Sequence, residues 1–178
     1  MTLDQLWAGW RNAYVTGLTA RPPDLGEGGA AEPGDDEECV FCRIVASGDP
    51  SADNGVVARG ARCVTVLNAY PYAPGHLLVM PRRHVASLAE LDADERSDLW
   101  TMVEDALSAI EAAYAPEGMN MGANLGPAAG AGIPRHVHVH AVPRWAGDTN
   151  FMTTVAGVRV LPESLPDTWA KLHRSWPA

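Results

Sequence analysis

Three of the six histidines in this chain stand at alternate positions, His136, His138 and His140, in the run HVHVHAV. On a strand, side chains at i, i+2 and i+4 share one face, each about 6.5–7 Å from the next. The imidazoles would then line the front, and Val137, Val139 and Ala141 would face a core. Two kinds of chemistry suit that pattern. His-x-His on a strand is a frequent zinc geometry, and three imidazoles can hold an open catalytic ion. The run carries no carboxylate to act as a base beside such a metal, the next acid being Asp148, eight residues on. The other chemistry is nucleophilic. A neutral imidazole is a good nucleophile near pH 7, once Nδ1–H is tied to a carbonyl and Nε2 is aimed at the electrophile.

Two further groups of residues carry chemical potential. Cys39-Val-Phe-Cys42 has metal-ligand spacing but supplies only half of a tetrahedral set. The third cysteine, Cys63, falls in a strand pattern and is expected to be a core thiol. An odd cysteine count without an export signal argues against a disulfide framework. The loop GPAAGAGIPRH, with Gly126, Gly130 and Gly132, lets backbone N–H groups approach phosphate oxygens closely.

The elements that must position these residues can be read from periodicity. Short β-type runs occur at GVVA, CVTVLN, HLLVMP, GMNMGANL and HVHVHAV. Asp92 with Glu95 three residues later has the pattern of a capping box. The helix it opens carries Leu99, Met102, Val103, Ala106, Leu107, Ile110 and Tyr114 on one face. A last helical stretch holds Leu165, Trp169, Leu172 and Trp176. Short strands around one long helix predict an α+β domain with a largely antiparallel sheet.

Ahead of this domain, residues 1–20 form an amphipathic arm in which Leu3, Leu6, Trp7, Trp10, Tyr14 and Leu18 recur at helical spacing. Residues 21–38 hold seven Gly or Pro and seven acids, an acidic linker. The domain itself is expected over 39–160, with a helical extension over 161–178. The 178 residues carry a net charge of −9, most of it in that linker. An acidic chain repels a phosphate backbone, so long nucleic acids are not expected partners. No apolar run reaches the roughly 20 residues of a membrane span. The first twenty residues lack the basic start and apolar centre of a secretory signal, which predicts a cytoplasmic protein.

His136 to Val142 resemble, position by position, the signature of the histidine-triad (HIT) superfamily. Independent stretches support the resemblance. PGHLLVMP is similar to the family's Pro-Gly-His strand. VPRWAGDTNFM and LWAGWRNAYV resemble the branch that holds fragile-histidine-triad hydrolases and actinobacterial diadenosine-tetraphosphate phosphorylases. The resemblance implies a mostly antiparallel five-stranded sheet with a long helix, in a homodimer paired through the Asp92–Tyr114 helix and a sheet edge. It implies that His138 attacks the α-phosphorus of a dinucleoside polyphosphate. His140 and His76 would shape the phosphate pocket, with His136 completing the triad. Asn68 would contact ribose, Asn124 would be a pocket amide or ribose contact, and Arg144 would face the polyphosphate tail. Several branches also complete a structural zinc site with residues matching Cys39, Cys42, His84 and His136, while the chemistry itself requires no metal.

The chain departs from the hydrolases at one position. They place a glutamine four residues before the first triad histidine, where this chain has Gly132. Removing that donor leaves room beside the phosphorus and favours inorganic phosphate over water as the second acceptor. The expected reaction is phosphorolysis of diadenosine tetraphosphate to ATP and ADP. The alternatives are dinucleoside polyphosphate hydrolysis, purine-nucleoside phosphoramidate hydrolysis, and a nucleotide-binding sensor without turnover.

Overall fold

The computed structural model describes residues 39–148 and 162–177. The expected arm, the linker and the segment 149–161 lie outside the described residues. In chain order the elements are α1 (Val40–Ala46), β1 (Val56–Arg59), β2 (Cys63–Leu67), β3 (Leu77–Pro81), α2 (Ala93–Tyr114), β4 (Gly118–Gly122), β5 (Val139–Arg144) and α3 (Leu165–Arg174). The five strands make one antiparallel sheet in the order β1-β2-β3-β5-β4. This is the α+β architecture that the strand and helix patterns predict.

β3 is the central strand, and all five of its residues are buried. Its alternate side chains serve two different cores. Leu77 and Val79 face α2, packing with Leu99, Met102, Val103, Ala106 and Ile110. Leu78 and Met80 face the other way, with Phe41 of α1 and with Val56, Val64 and Val66. Val137, Val139 and Ala141 join the α2 core, as the alternation in HVHVHAV requires. Cys63 is fully buried in that core too, and burial with the nearby Asp98 carboxylate pushes its thiol up to about 12.

α2 starts where its sequence says. Asp92 accepts from the Glu95 N–H at 2.7 Å, and Glu95 reaches back to the Asp92 N–H at 3.0 Å. Its C-cap, Ala115, is left-handed at φ 43°. The two edges of the sheet are treated differently. β1 is covered by α3, whose Trp169 Nε1 donates to the Val56 carbonyl at 2.7 Å and whose His173 Nδ1 donates to the Val57 carbonyl at 2.9 Å. β4 leaves four of its five residues exposed.

The histidine run is not strand throughout. β5 begins only at Val139, so His136, at a bend, and His138 lie ahead of it. β3 and β5 pair from Leu77↔Ala141 to Val79↔Val139 and no further. Beyond that point His136 Nε2 donates to the Pro81 carbonyl at 2.8 Å, and the Val137 N–H turns to Val85. An imidazole has replaced the backbone ladder. GMNMGANL likewise stays in the sheet only as far as Gly122.

Candidate functional site

Away from α2, the segment that enters β5 and the start of β5 itself carry the histidines in a row, and each has a different set of partners. His138 is 6% exposed, and its Nδ1 donates to the His136 carbonyl at 2.8 Å. That bond puts the proton on Nδ1 and leaves the lone pair on Nε2. Burial holds the His138 pKa below 6.5, partly opposed by the carbonyl, so the ring is neutral at pH 7. The buried Phe41 ring packs edge-on against it, 4.9 Å between centroids.

His140 belongs to a relay. The Tyr72 N–H donates to His76 Nδ1 at 3.0 Å, so His76 carries its proton on Nε2. His76 Nε2 then donates to His140 Nδ1 at 2.9 Å, which puts the His140 proton on its own Nε2. That Nε2 is buried and has no hydrogen-bond partner. A buried N–H without an acceptor is costly, and a phosphoryl oxygen would satisfy it. Burial, and then the neighbouring His138, pull the His140 pKa down to about 4, so this donor is neutral at pH 7.

His76 reaches this position through the turn Pro74-Gly75-His76. Gly75 sits at φ 83°, and a Cβ there would lie 2.9 Å from the Tyr114 ring. Asn68 places its Nδ2 at 3.3 and 3.4 Å from the two ring nitrogens of His76, while its Oδ1 accepts from the Tyr70 N–H at 2.9 Å. Asn68 thus buttresses His76 as well as shaping the turn after β2.

Next to His140 opens a cleft of about 400 Å³, with Tyr72, Asn120, Met121, Asn124, Arg144 and Asp148 around it. Arg144 is held there by Asp148, through Nε and Nη2, and by Asn120 Oδ1 through Nη1 at 2.8 Å. Asn124 lines the same cleft and makes a long bond, 3.5 Å, to the Gly130 carbonyl. Gly130 is left-handed at φ 84°, and a Cβ at Gly132 would meet nothing within 4 Å. The loop is open around Gly132, and neither glycine forms part of the cleft wall.

At the other end of the row, the ligand atoms of Cys39, Cys42, His84 and His136 lie within 4.8 Å of one another. Zinc bonds of about 2.3 Å to sulfur and 2.0–2.1 Å to nitrogen give tetrahedral N···S edges of roughly 3.5–3.6 Å. His136 Nδ1 is 3.6 Å from both sulfurs, and His84 Nδ1 is 3.1 Å from Cys42 Sγ. The bond from His136 Nε2 to Pro81 supplies the outer hydrogen bond that fixes a metal-ligating imidazole. Donor type, spacing and outer contact therefore fit a tetrahedral zinc.

The structure thus gathers the expected residues into two groups: a catalytic-type set of His138, His140 and His76, and a metal-type set that shares only His136 with the triad run. Two residues escaped the sequence analysis. Phe41 touches both His136, at 5.6 Å between centroids, and His138. Its signal was its place inside the Cys-x-Phe-Cys run. Tyr72 lies parallel to His140, at 6.0 Å and 10°. It had only its position four residues before His76.

A model of the HIT domain matches residues 50–147. A Mycobacterium tuberculosis protein named AP-4-A phosphorylase is 37% identical over 98% of this chain and 85% of its own length. The asymmetrical bis(5'-nucleosyl)-tetraphosphatase of Schizosaccharomyces pombe is 40% identical over 46% of this chain and 44% of its own. Among solved structures, a hypothetical histidine triad nucleotide-binding protein from Sulfolobus tokodaii superposes with a TM-score of 0.62. It is 27% identical, over 77% of this chain and 91% of the other.

Proposed function

The chain belongs to the HIT-domain family, and from that premise we propose that it transfers a nucleotidyl group from dinucleoside polyphosphates to inorganic phosphate. The observation that carries this reading is the pinned imidazole of His138, beside the partnerless N–H of His140. Nε2 of His138 attacks the α-phosphorus of diadenosine tetraphosphate. A P–N bond forms, the bridging P–O bond breaks, and ATP departs with the electron pair. A phosphate oxygen then attacks the same phosphorus, the P–N bond breaks, and ADP leaves with the imidazole restored. Two in-line displacements replace one difficult step. His140 Nε2–H donates to the phosphoryl oxygens as their charge builds, in a buried setting where such a bond is strong. His76 keeps that proton on Nε2. Asn68, Asn124 and Arg144 complete the nucleotide and phosphate contacts.

Cys39, Cys42, His84 and His136 would hold a structural zinc, which joins α1 to the entry of β5 and takes no step in the transfer. Residues 39–160 would act as the HIT domain, with the N-terminal arm, the linker and the 161–178 extension as appendages. Among the described residues no helix is long and apolar enough to cross a membrane, and we place the protein in the cytoplasm. The exposed β4 edge, at the opposite side of the sheet from the β1 edge that α3 covers, supports a homodimer formed through β4 and α2.

The test is product analysis of diadenosine tetraphosphate turnover with and without phosphate. ATP plus ADP, formed only with phosphate, is the expected result. ATP plus AMP regardless of phosphate makes the protein a hydrolase. No turnover, with rapid cleavage of a nucleoside phosphoramidate, replaces the substrate class. Gly132→Gln should move products from ADP towards AMP, since a side chain there enters open space.

A further inference from the structure

We propose that Tyr114 and Glu163 are positioning residues for the transfer. They brace the Pro74-Gly75-His76 turn from behind, and through His76 they keep the donor proton of His140 in place. The inference rests on the transfer proposed above and gives the C-terminal extension a part in it.

The brace is built from the end of α2 and the approach to α3. Tyr114 is the last residue of α2, and its ring lies close against the turn. A Cβ on Gly75 would sit 2.9 and 3.2 Å from two carbons of that ring, and 3.3 Å from Pro143 of β5. Only a glycine fits the slot, and the turn cannot shift backwards without displacing the ring. The ring is itself held at its far end. Its hydroxyl donates to Glu163 Oε2 at 2.5 Å, and Thr168 Oγ1 donates to the same oxygen at 2.9 Å. Lys171 pairs with the other oxygen of Glu163 and stands 5.2 Å from the centre of the Tyr114 ring. Burial favours a protonated Glu163, but Lys171, Tyr114 and Thr168 outweigh it and hold the pKa below the ordinary carboxylate range. Glu163 is therefore a carboxylate at neutral pH, where its hydrogen bonds are charge-assisted.

The side of the turn that faces α3 is equally close. Pro74, Gly75 and His76 meet Glu163, Leu165 and Thr168 across a gap of about 10 Å³, no more than the space of one water. His76 thus has protein behind its turn. In front, the Tyr72 N–H and the His140 ring fix its two nitrogens. Both bonds weaken once the imidazole moves by more than a few tenths of an ångström. A turn that relaxes backwards would stretch the bond to His140 and let the His140 proton divide between its two nitrogens. The brace therefore acts on the transfer without touching the substrate.

A double-mutant cycle on the full-length chain tests this. Tyr114→Phe removes the hydroxyl and keeps the ring. It should lower kcat on diadenosine tetraphosphate by roughly 3- to 10-fold, the effect of one lost hydrogen bond, and leave KM within about twofold. In a His76→Ala background the same change should move kcat by less than about twofold, because both substitutions act through one ring. Glu163→Gln should behave in the same way. Long-range nitrogen–proton NMR spectra should show His140 protonated on Nε2 alone in the parent, and on both nitrogens in the two variants. Trp169→Phe, which loosens α3 at the β1 edge instead, should lower the unfolding temperature and leave kcat and the tautomer as they were. Three results would overturn the proposal: kcat unchanged in both variants, an equal loss with and without His76, or a His140 tautomer that neither variant moves. A Trp169→Phe chain whose kcat falls as far would overturn it as well. The spectra need no turnover, so a parent inert on diadenosine tetraphosphate would end the transfer reading while the tautomers still judge the brace.

Discussion

At His136 the histidine face ends against two sulfurs and a second imidazole, beneath the buried ring of Phe41. At Arg144 it ends in an exposed ion pair on the rim of an open cleft. Between the two stand His138, tied to a backbone carbonyl, and His140, tied to His76. One end is closed by apolar packing and soft donors, and the other is open and polar. The contrast teaches how one short run can serve two purposes. The closed end gives the central imidazole a rigid wall, and the open end leaves room for a large ligand to lie across the donors. Period-two alternation separates the two functions by only one or two side chains.

Breaking the centre should have the largest effect. His138→Asn should lower turnover by on the order of 10⁴-fold or more, as the loss of a nucleophile does elsewhere, with the fold retained by circular dichroism. A variant within tenfold of the parent would dismiss His138 as the nucleophile.

The closed end comes next. Cys42→Ser, or a strong chelator on the parent chain, should cost about 3 kcal/mol or more of stability, because metal binding at such a site is coupled to folding. Elemental analysis should give one zinc per chain in the parent. No metal, together with unchanged thermal unfolding on chelation, would reduce the cluster to two thiols beside two imidazoles. Cutting the relay should weigh less than removing the nucleophile. His76→Ala frees the His140 tautomer and should cost roughly 10²-fold in kcat, the range for one oriented donor, and should also lower the unfolding temperature, because it removes a fully buried, hydrogen-bonded ring.

The smallest expected effect tests whether the closed end is also held from outside. Arg83, next to His84, pairs with Glu95 through two contacts of 2.8 and 2.7 Å. The hydrogen bonds from Arg83 and from the Asp92 backbone bring the Glu95 carboxyl down to about 2. A carboxylate whose pKa is lowered on folding stabilises the protein above its unfolded value, near 4.3, and loses that contribution as pH falls towards 2. The stability gap between the parent and Glu95→Gln should therefore be constant at neutral pH and close between about pH 4.3 and 2. A gap that is already absent at pH 7 would remove this brace from the comparison.

Much of this arrangement was legible in the chain. The alternation in HVHVHAV fixed which residues enter the α2 core, and Asp92 with Glu95 fixed the start of the long helix, because both depend on local backbone geometry. The Cys39-x-x-Cys42 spacing offered two ligands of a tetrahedron, and family resemblance pointed to His84 and His136 for the others. Less was legible where the ladder stops. That β5 begins at Val139 depends on a carbonyl of β3, Pro81, finding an imidazole in place of a strand partner. No local pattern encodes that choice.

Tertiary structure alone decided the rest. His76 meets His140 across 64 residues because β3 and β5 are neighbours in the sheet, a fact of strand order that periodicity does not contain. The protonation of each ring followed from that meeting, through a backbone N–H at Tyr72 and a carbonyl at His136. Phe41 and Tyr72 gained their places beside the imidazoles in the same way, from turns and helices packed onto one face. The sequence by itself determined which side chains could do chemistry and which way they point within each element, since a strand's pleat and a helix's turn are set residue by residue. Which of them touch was settled only when the sheet closed, since contacts between distant segments depend on the packing of the whole domain.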